Sequence, residues 1–319
     1  MTSYSTGRRE FLGSVTALGA FATVALTLKP RFVYAAEAPA YDPSARFELD
    51  VSDVEFRVNA AGRQLMARVY RPIGPGPFPV VLDLHGGGWN HRDRLAEEPM
   101  DRALAESGVL VVAIDMTRAP EAPYPADVQD ANYGVRWLKW KAASWNGDAS
   151  KVGVFSSSSG GHTAQLLGLR PNDPRYNAIP LPEAPELDAT VDFIAMRSPI
   201  SDTHARYENA IVTNRDHMIE YNKLYFDPWE TIHEASPQEI LDRGEDVSHV
   251  PMLIMQGELD DNVLPEVQQK FTDTCNAAGG DCRLEIFENS VHRWTAEEGA
   301  QTERAREMLR QFTASQLGL

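Results

Sequence analysis

Residues 151–169 read Lys-Val-Gly-Val-Phe-Ser-Ser-Ser-Ser-Gly-Gly-His-Thr-Ala-Gln-Leu-Leu-Gly-Leu. After Lys151, Val152-Gly153-Val154-Phe155 carry no polar side chain, the pattern of a strand buried on both faces. Residues 163–169 continue as a helical run. The serines and glycines between them mark a sharp strand-to-helix turn. Such a turn presents a serine hydroxyl at the top of a sheet, over a helix N-terminus that favours negative charge. It is tight enough to need small residues two before and two after the nucleophile. Around Ser158 these are Ser156 and Gly160. Ser157 and Ser159 compete, and Ser159 also has small flanks in Ser157 and Gly161. Ser158 is preferred because it puts Gly160-Gly161-His162 in the expected register. Taken alone, the same turn also fits a plain helix N-cap.

Further elements lie on either side. Directly after a continuous apolar strand at 79–84 comes His85-Gly86-Gly87-Gly88-Trp89. Three glycines let the backbone approach a substrate and point N–H groups into a cavity. Gly87 and Gly88, with the N–H of Ser159, are the candidate donors to an oxyanion. After a strand at 251–256, Gln256-Gly257-Glu258-Leu259-Asp260-Asp261-Asn262-Val263 offers a carboxylate that can orient an imidazole. Asp260 is preferred to Asp261 because it falls three residues after the glycine. His292 follows the last strand, in Asn289-Ser290-Val291-His292-Arg293-Trp294, and is the candidate base. His85 and His162 belong to the motifs above, His91 lies just beyond the glycine loop, and His204, His217, His233 and His249 fall elsewhere.

Short β-branched runs alternate with helical stretches, which predicts an α/β fold with a mostly parallel central sheet flanked by helices. Strands are expected at 51–58, 64–70, 79–84, 109–115, 151–155, 190–196, 251–256 and 283–287. Helices are expected at 126–144 and 296–317. Residues 171–187 read as a surface excursion. Residues 201–249 read as a cap insertion over the carboxyl ends of the strands, where open α/β sheets bind ligands. Trp89, beside the glycine loop, and Tyr225 and Trp229 in the cap are the candidate substrate-binding residues. Equally, the cap aromatics could serve only to pack the cap onto the body.

Together these motifs resemble the α/β-hydrolase superfamily and, within it, the His-Gly-Gly-Gly branch of hormone-sensitive-lipase-like and bacterial esterase/acetylesterase enzymes. The resemblance runs from about residue 51 to the C-terminal helix. It includes Ala119-Pro120-Glu121-Ala122-Pro123-Tyr124-Pro125-Ala126, Asp130 and Trp137-Leu138, and the order Ser…Asp…His. It implies a serine carboxylic-ester hydrolase working through an acyl-enzyme on a small-molecule ester, with catalytic residues Ser158, Asp260 and His292. The alternatives are an amidase, formamidase or peptidase using the same triad, or an inactive binding protein on the same fold. Three departures stand out. Ser156 replaces the first elbow glycine, Ser157 replaces the usual acidic residue or histidine before the nucleophile, and Met116-Thr117 replaces a Tyr-Arg pair.

The bulk numbers agree with this reading. The 319 residues are 43% hydrophobic, enough for a sizeable core, and the formal net charge is −16. Such acidity excludes nucleic acid as an expected partner, since phosphate binding needs clustered Lys and Arg. No metal or organic cofactor is implied. Gly7-Arg8-Arg9-Glu10-Phe11-Leu12-Gly13, an uncharged apolar run at 14–28, and Val33-Tyr34-Ala35 follow the plan of an export signal. The paired arginines resemble the twin-arginine type. The expected organisation is therefore an export signal at 1–35, cleaved to leave no stable membrane insertion, and one domain at 36–319 in the periplasm or outside the cell. Cys275 and Cys282 suit either a disulfide or two buried thiols.

Overall fold

The computed structural model describes residues 41–319, so the leader read at 1–35 lies outside the described residues. The strands are β1 (Leu49–Val58), β2 (Gln64–Pro72), β3 (Phe78–Leu84), β4 (Leu110–Ile114), β5 (Gly147–Ser157), β6 (Phe193–Arg197), β7 (Met252–Gly257) and β8 (Cys282–Phe287). They form one sheet in the order β1-β2-β4-β3-β5-β6-β7-β8. The β1–β2 and β2–β4 pairs are antiparallel, and every later pair is parallel.

The continuous apolar runs are explained by two buried faces. Along β4, Leu110, Val112 and Ile114 join one core while Val111 and Ala113 join the other. The same period-two division runs through β6, where Ile194 and Met196 oppose Phe193 and Ala195. One face is covered by α2 (Ala126–Lys141), α3 (Ser158–Leu169) and α8 (Pro265–Ala277), the other by α1 (Glu98–Glu106) and α9 (Ala300–Leu317). Helices α1 and α8 escaped the sequence reading because their inward stripes are thin. In α1 only Met100, Leu104 and Ala105 are apolar and buried. No helix among the described residues is long and apolar enough to cross a membrane.

Between β6 and β7 lie α4 (Thr203–Val212), α5 (Asp216–Tyr225), α6 (Thr231–Glu234) and α7 (Pro237–Asp242). Of these, α7 packs on α3 and α8 and so belongs to the body. The segment at 171–187 runs over the surface as expected, anchored at a few points. Tyr176 is buried and its hydroxyl meets that of Tyr124 at 2.8 Å, while Arg136 donates to the carbonyl of Ile179 at 2.7 Å.

Both edges of the sheet are irregular or guarded. Strand β1 carries a bulge between Glu55 and Arg57. On β8, Arg304 of α9 donates to the carbonyl of Ile286 at 3.0 Å, and Arg283 and Glu285 pair along the strand. Cys275 at the end of α8 and Cys282 at the start of β8 form a disulfide, with Cα atoms 6.3 Å apart.

The buried carboxyl of Asp127 ties three helices together. It accepts hydrogen bonds from Thr163 of α3 and Tyr225 of α5, both at 2.7 Å. Burial pushes this carboxyl up to about 6, against the pull of the two hydroxyls. Raised from 3.8, it favours folding most when protonated, and its contribution falls as pH rises through 6. Replacing Tyr225 with Phe removes a donor that matters most to the ionised form. The expected loss of stability is about 1.5–3 kcal/mol at pH 8 and smaller at pH 5, read from urea midpoints.

Candidate active site

The site is built where α3 meets the sheet. Ser158 opens α3 with φ of 51°, a left-handed backbone that is costly for any residue with a side chain. The strain follows from how closely α3 crosses the strands. A Cβ on Gly160 would lie 2.0 Å from the carbonyl oxygen of Leu84, and one on Gly161 would lie 2.5 Å from Cβ of Pro199. Only glycine fits either place. The Ser158 hydroxyl, at the top of the elbow, stands 3.0 Å from Nε2 of His292.

Nδ1 of His292 meets Oδ2 of Asp260 at 2.8 Å. The other oxygen of Asp260 accepts the N–H groups of Asn262 at 3.0 Å and Val263 at 2.9 Å, and Gln256 donates to Oδ2 at 3.1 Å. This puts the Nδ1 proton toward the carboxylate and leaves Nε2 free to accept from Ser158. Gly257 lets the histidine loop approach, since a Cβ there would lie 2.5 Å from the carbonyl oxygen of Ser290.

The competing residues are otherwise engaged. The Ser157 hydroxyl donates to Glu97 at 2.7 Å, and the Ser159 hydroxyl accepts the N–H of Trp89 at 3.2 Å. Asp261 is exposed and pairs with Arg215. His85 is buried, with Nδ1 against the carbonyl of Gly86 at 2.8 Å and Nε2 accepting the N–H of Met116 at 3.3 Å, so it braces the glycine loop. Thr117 donates its N–H to Asp130 at 2.6 Å, and Asp130 pairs with Arg57. Met116 and Thr117 thus hold that loop through backbone groups.

Gly87 (φ 127°) and Gly88 (φ 60°) occupy backbone that L side chains avoid. Their N–H groups make no backbone hydrogen bond among the described residues. The N–H of Ser159 lies in the first turn of α3, where helix donors have no partner within the helix. Gly86, Gly87, Gly88, Ser158 and His292 line one cavity of about 240 Å³.

The far wall differs from the sequence reading. Trp89, Tyr225 and Trp229 do not line this cavity; His217, Met218 and Tyr221 of α5 and Arg206 of α4 do. Trp89 is buried, stacks on Tyr225 with ring centres 4.5 Å apart, and donates its indole N–H to His162 at 3.2 Å. Tyr225 is drawn inward by its bond to Asp127. Trp229 packs on Tyr207, their ring centres 4.6 Å apart. These three aromatics therefore hold the cap on the body. Tyr221, one turn before Tyr225, takes the position over Gly88, where a Cβ would lie 3.1 Å from its ring.

Behind the site lies a buried ion pair that sequence reasoning missed. Glu97, just before α1, meets Arg197 at the end of β6 at 2.8 Å. The same carboxylate accepts from Ser157, and Arg197 donates to the backbone carbonyl of His292. One carboxylate thus braces the elbow and, through Arg197, the histidine loop. It supplies through space an acid that the sequence lacks beside Ser158. No motif marks Glu97, since nothing in its neighbourhood signals proximity to a serine sixty residues away. Arg293, next to the histidine, was open to notice.

Burial lowers the affinity of His292 for a proton, and the Arg197 and Arg206 charges lower it further. The Asp260 contact offsets this only in part, so the imidazole sits below its ordinary value of 6.5. Burial works to raise the Asp260 carboxyl, but the hydrogen bond and charge of His292, with the Val263 N–H, outweigh it and hold it below the usual range. Among the described residues, one trio with metal-ligand geometry lies together, His204, His233 and Glu239, and none of the three lines the cavity.

Three relatives frame this geometry. The carboxylesterase NlhH of Mycobacterium tuberculosis is 36% identical over 108 residues, covering 33% of this chain and 34% of that protein. The esterase LipC of the same organism is 27% identical over 204 residues, covering 63% of this chain and 49% of LipC. The chain thus matches between a third and a half of the length of these relatives. The crystal structure of esterase LipW from Mycobacterium marinum superposes with a TM-score of 0.65 at 24% identity, covering 84% of this chain and 82% of that one. That likeness shows the α/β-hydrolase fold. The BD-FAE family model matches residues 69–274, more than half of the chain and the stretch that holds the glycine loop, the elbow and Asp260. The chain belongs to the BD-FAE family and has the α/β-hydrolase fold that its motifs resemble.

Proposed function

We propose that the chain is an exported serine hydrolase of small carboxylic esters. The observation that carries this reading is the hydrogen-bonded series Asp260–His292–Ser158, set across one cavity from Gly87 and Gly88. The carboxylesterase and esterase names of its relatives support it. In the reaction, Ser158 Oγ attacks the ester carbonyl while its proton passes to Nε2 of His292. The carbonyl oxygen takes the negative charge and accepts from the N–H groups of Gly87, Gly88 and Ser159. Collapse breaks the C–O bond, and His292 returns the proton to the leaving alkoxide. Water, deprotonated by His292, then releases the acid from the serine. A cavity of about 240 Å³ suits a compact substrate.

Export is the second part of the proposal. It is supported by the paired arginines, the apolar run and the small residues at 33–35. A Cys275–Cys282 disulfide suits an oxidising compartment. Mass spectrometry of the secreted or periplasmic protein is expected to find a chain that begins near residue 36. Intact Met1 on cytoplasmic protein is the contrary result.

The wild type is expected to hydrolyse short-chain p-nitrophenyl esters and to react with a fluorophosphonate probe, and Ser158→Ala is expected to do neither. Equal rates for the two would remove Ser158 as nucleophile. Probe labelling with turnover of amides and none of esters would favour the amidase reading. Neither labelling nor turnover would favour a binding protein.

Neutral imidazole is the active form, so kcat/KM is expected to fall on acidification with a midpoint below 6.5, the direction in which His292 is shifted. Asp260→Asn is expected to lower kcat roughly 10⁴-fold, through loss of the correct imidazole tautomer.

A further inference from the structure

The cavity carries a charge opposite to that of the molecule. The chain is acidic, with a formal net charge of −16. Yet four arginines line the site, Arg92, Arg197, Arg206 and Arg293, against one carboxylate, Glu97. Glu97 is already committed to Arg197 and Ser157. The remaining three guanidinium groups have no acidic partner at ion-pair distance among the described residues.

Arg206 is the decisive case. Only 5% of it is exposed. Its Nε donates to Asn262 at 3.1 Å, and its guanidinium lies 5.5 Å over the Trp89 ring. Its Nη1 is buried with no hydrogen-bond partner. The charge that acts on Arg206 from across the site is Asp260, whose oxygens are already engaged by His292, Asn262, Val263 and Gln256, and a buried charge without a partner of its own is costly. The fold supplies two further cations nearby. Arg92 stands just beyond the glycine loop with φ of 69°, and Arg293 follows His292 directly. Arg92 and Arg197 lie close enough to Arg293 to lower its proton affinity, after burial.

We infer that the substrate is an ester bearing a free carboxylate close to its scissile bond, which Arg206 holds in the cavity while Arg92 and Arg293 draw it in. This inference rests on the esterase reading above and narrows it to one substrate class. The guanidinium fork matches a carboxylate, and the pair gains strength where water is excluded. Arg206 lies near the triad, close enough for its charge to act on His292. The carboxylate is therefore a few bonds from the carbonyl, on the acyl side as in a half-ester of a short diacid, or on the alcohol side as in an acylated hydroxy acid. Positive lining in an acidic protein also draws anions toward the cavity.

The test compares matched esters. Monomethyl glutarate against methyl valerate probes the acyl side, and 3-acetoxybenzoate against phenyl acetate probes the alcohol side. The wild type is expected to favour the anionic member of at least one pair by about tenfold or more in kcat/KM, the scale of one charge-assisted hydrogen bond. Arg206→Met removes the guanidinium while keeping a long flexible side chain, and is expected to erase most of that ratio, measured as anionic over neutral within the variant. The Arg92→Gln/Arg293→Gln double variant is expected to reduce it in part, and it stands in for Arg206→Met if the buried substitution does not fold. A preference for the neutral member of both pairs, with turnover intact, would overturn the carboxylate inference and leave the esterase reading standing. So would an anionic preference that none of these substitutions changes. Turnover of neither member of either pair would overturn the esterase reading itself, and this inference with it.

Discussion

The carbonyl oxygen of Leu84 occupies the space where a side chain on residue 160 would be. That close approach of α3 to the end of β3 governs the upper face of the molecule. It forces glycine at 160, tips Ser158 into a left-handed conformation, and brings the elbow beside the loop that leaves β3. The glycine loop and the nucleophile are therefore neighbours by steric necessity. A Cβ on Gly86 would stand 3.1 Å from Cβ of Ser158. The strain at the elbow, about 1–3 kcal/mol for such a residue, is held by the parallel strands beneath, buried on both faces. A doubly buried sheet thus carries a strained residue at its top.

Much of this was legible in the sequence because it follows from local steric and periodic rules. Continuous apolar runs marked the strands. Glycines at 86–88 marked a loop whose backbone can approach a substrate, those at 160 and 161 the register of the elbow, and Gly257 the acid turn. The choice among four serines, and between Asp260 and Asp261, turned on register, and the geometry pairs Ser158, His292 and Asp260 while engaging their neighbours elsewhere. The substrate-facing residues were not legible. Whether a cap aromatic faces the cavity or the core depends on what lies behind it. Tyr225 is pulled inward by Asp127, a partner ninety-eight positions away. Tyr221, one turn earlier, lines the cavity instead. The Glu97–Arg197 pair was hidden for the same reason: it spans two crossovers and has no periodic signature.

Two layers of electrostatics meet at the triad. Glu97 and Arg197 form a buried ion pair that positions backbone, since Arg197 meets Glu97 and donates to the His292 carbonyl. Arg206 is buried too, but has no carboxylate at ion-pair distance among the described residues. The distinction separates a pair that holds the site in shape from a charge that awaits something brought into it. Both act on His292 in the same direction, disfavouring imidazolium at rest, so the base stays free until the reaction delivers a proton.

The sheet edges described above bear on how this protein behaves when crowded. An open eight-stranded sheet offers two rows of unpaired backbone groups to any passing strand. Here the bulge between Glu55 and Arg57 breaks the regular spacing on one side, and on the other Arg304 occupies the Ile286 carbonyl that an added strand would need. A strand arriving at β8 would also have to desolvate Arg283 and Glu285. The disulfide between α8 and β8 anchors that edge strand at its first residue. These devices work against templated growth of the sheet, and a formal net charge of −16 adds repulsion between copies of the chain.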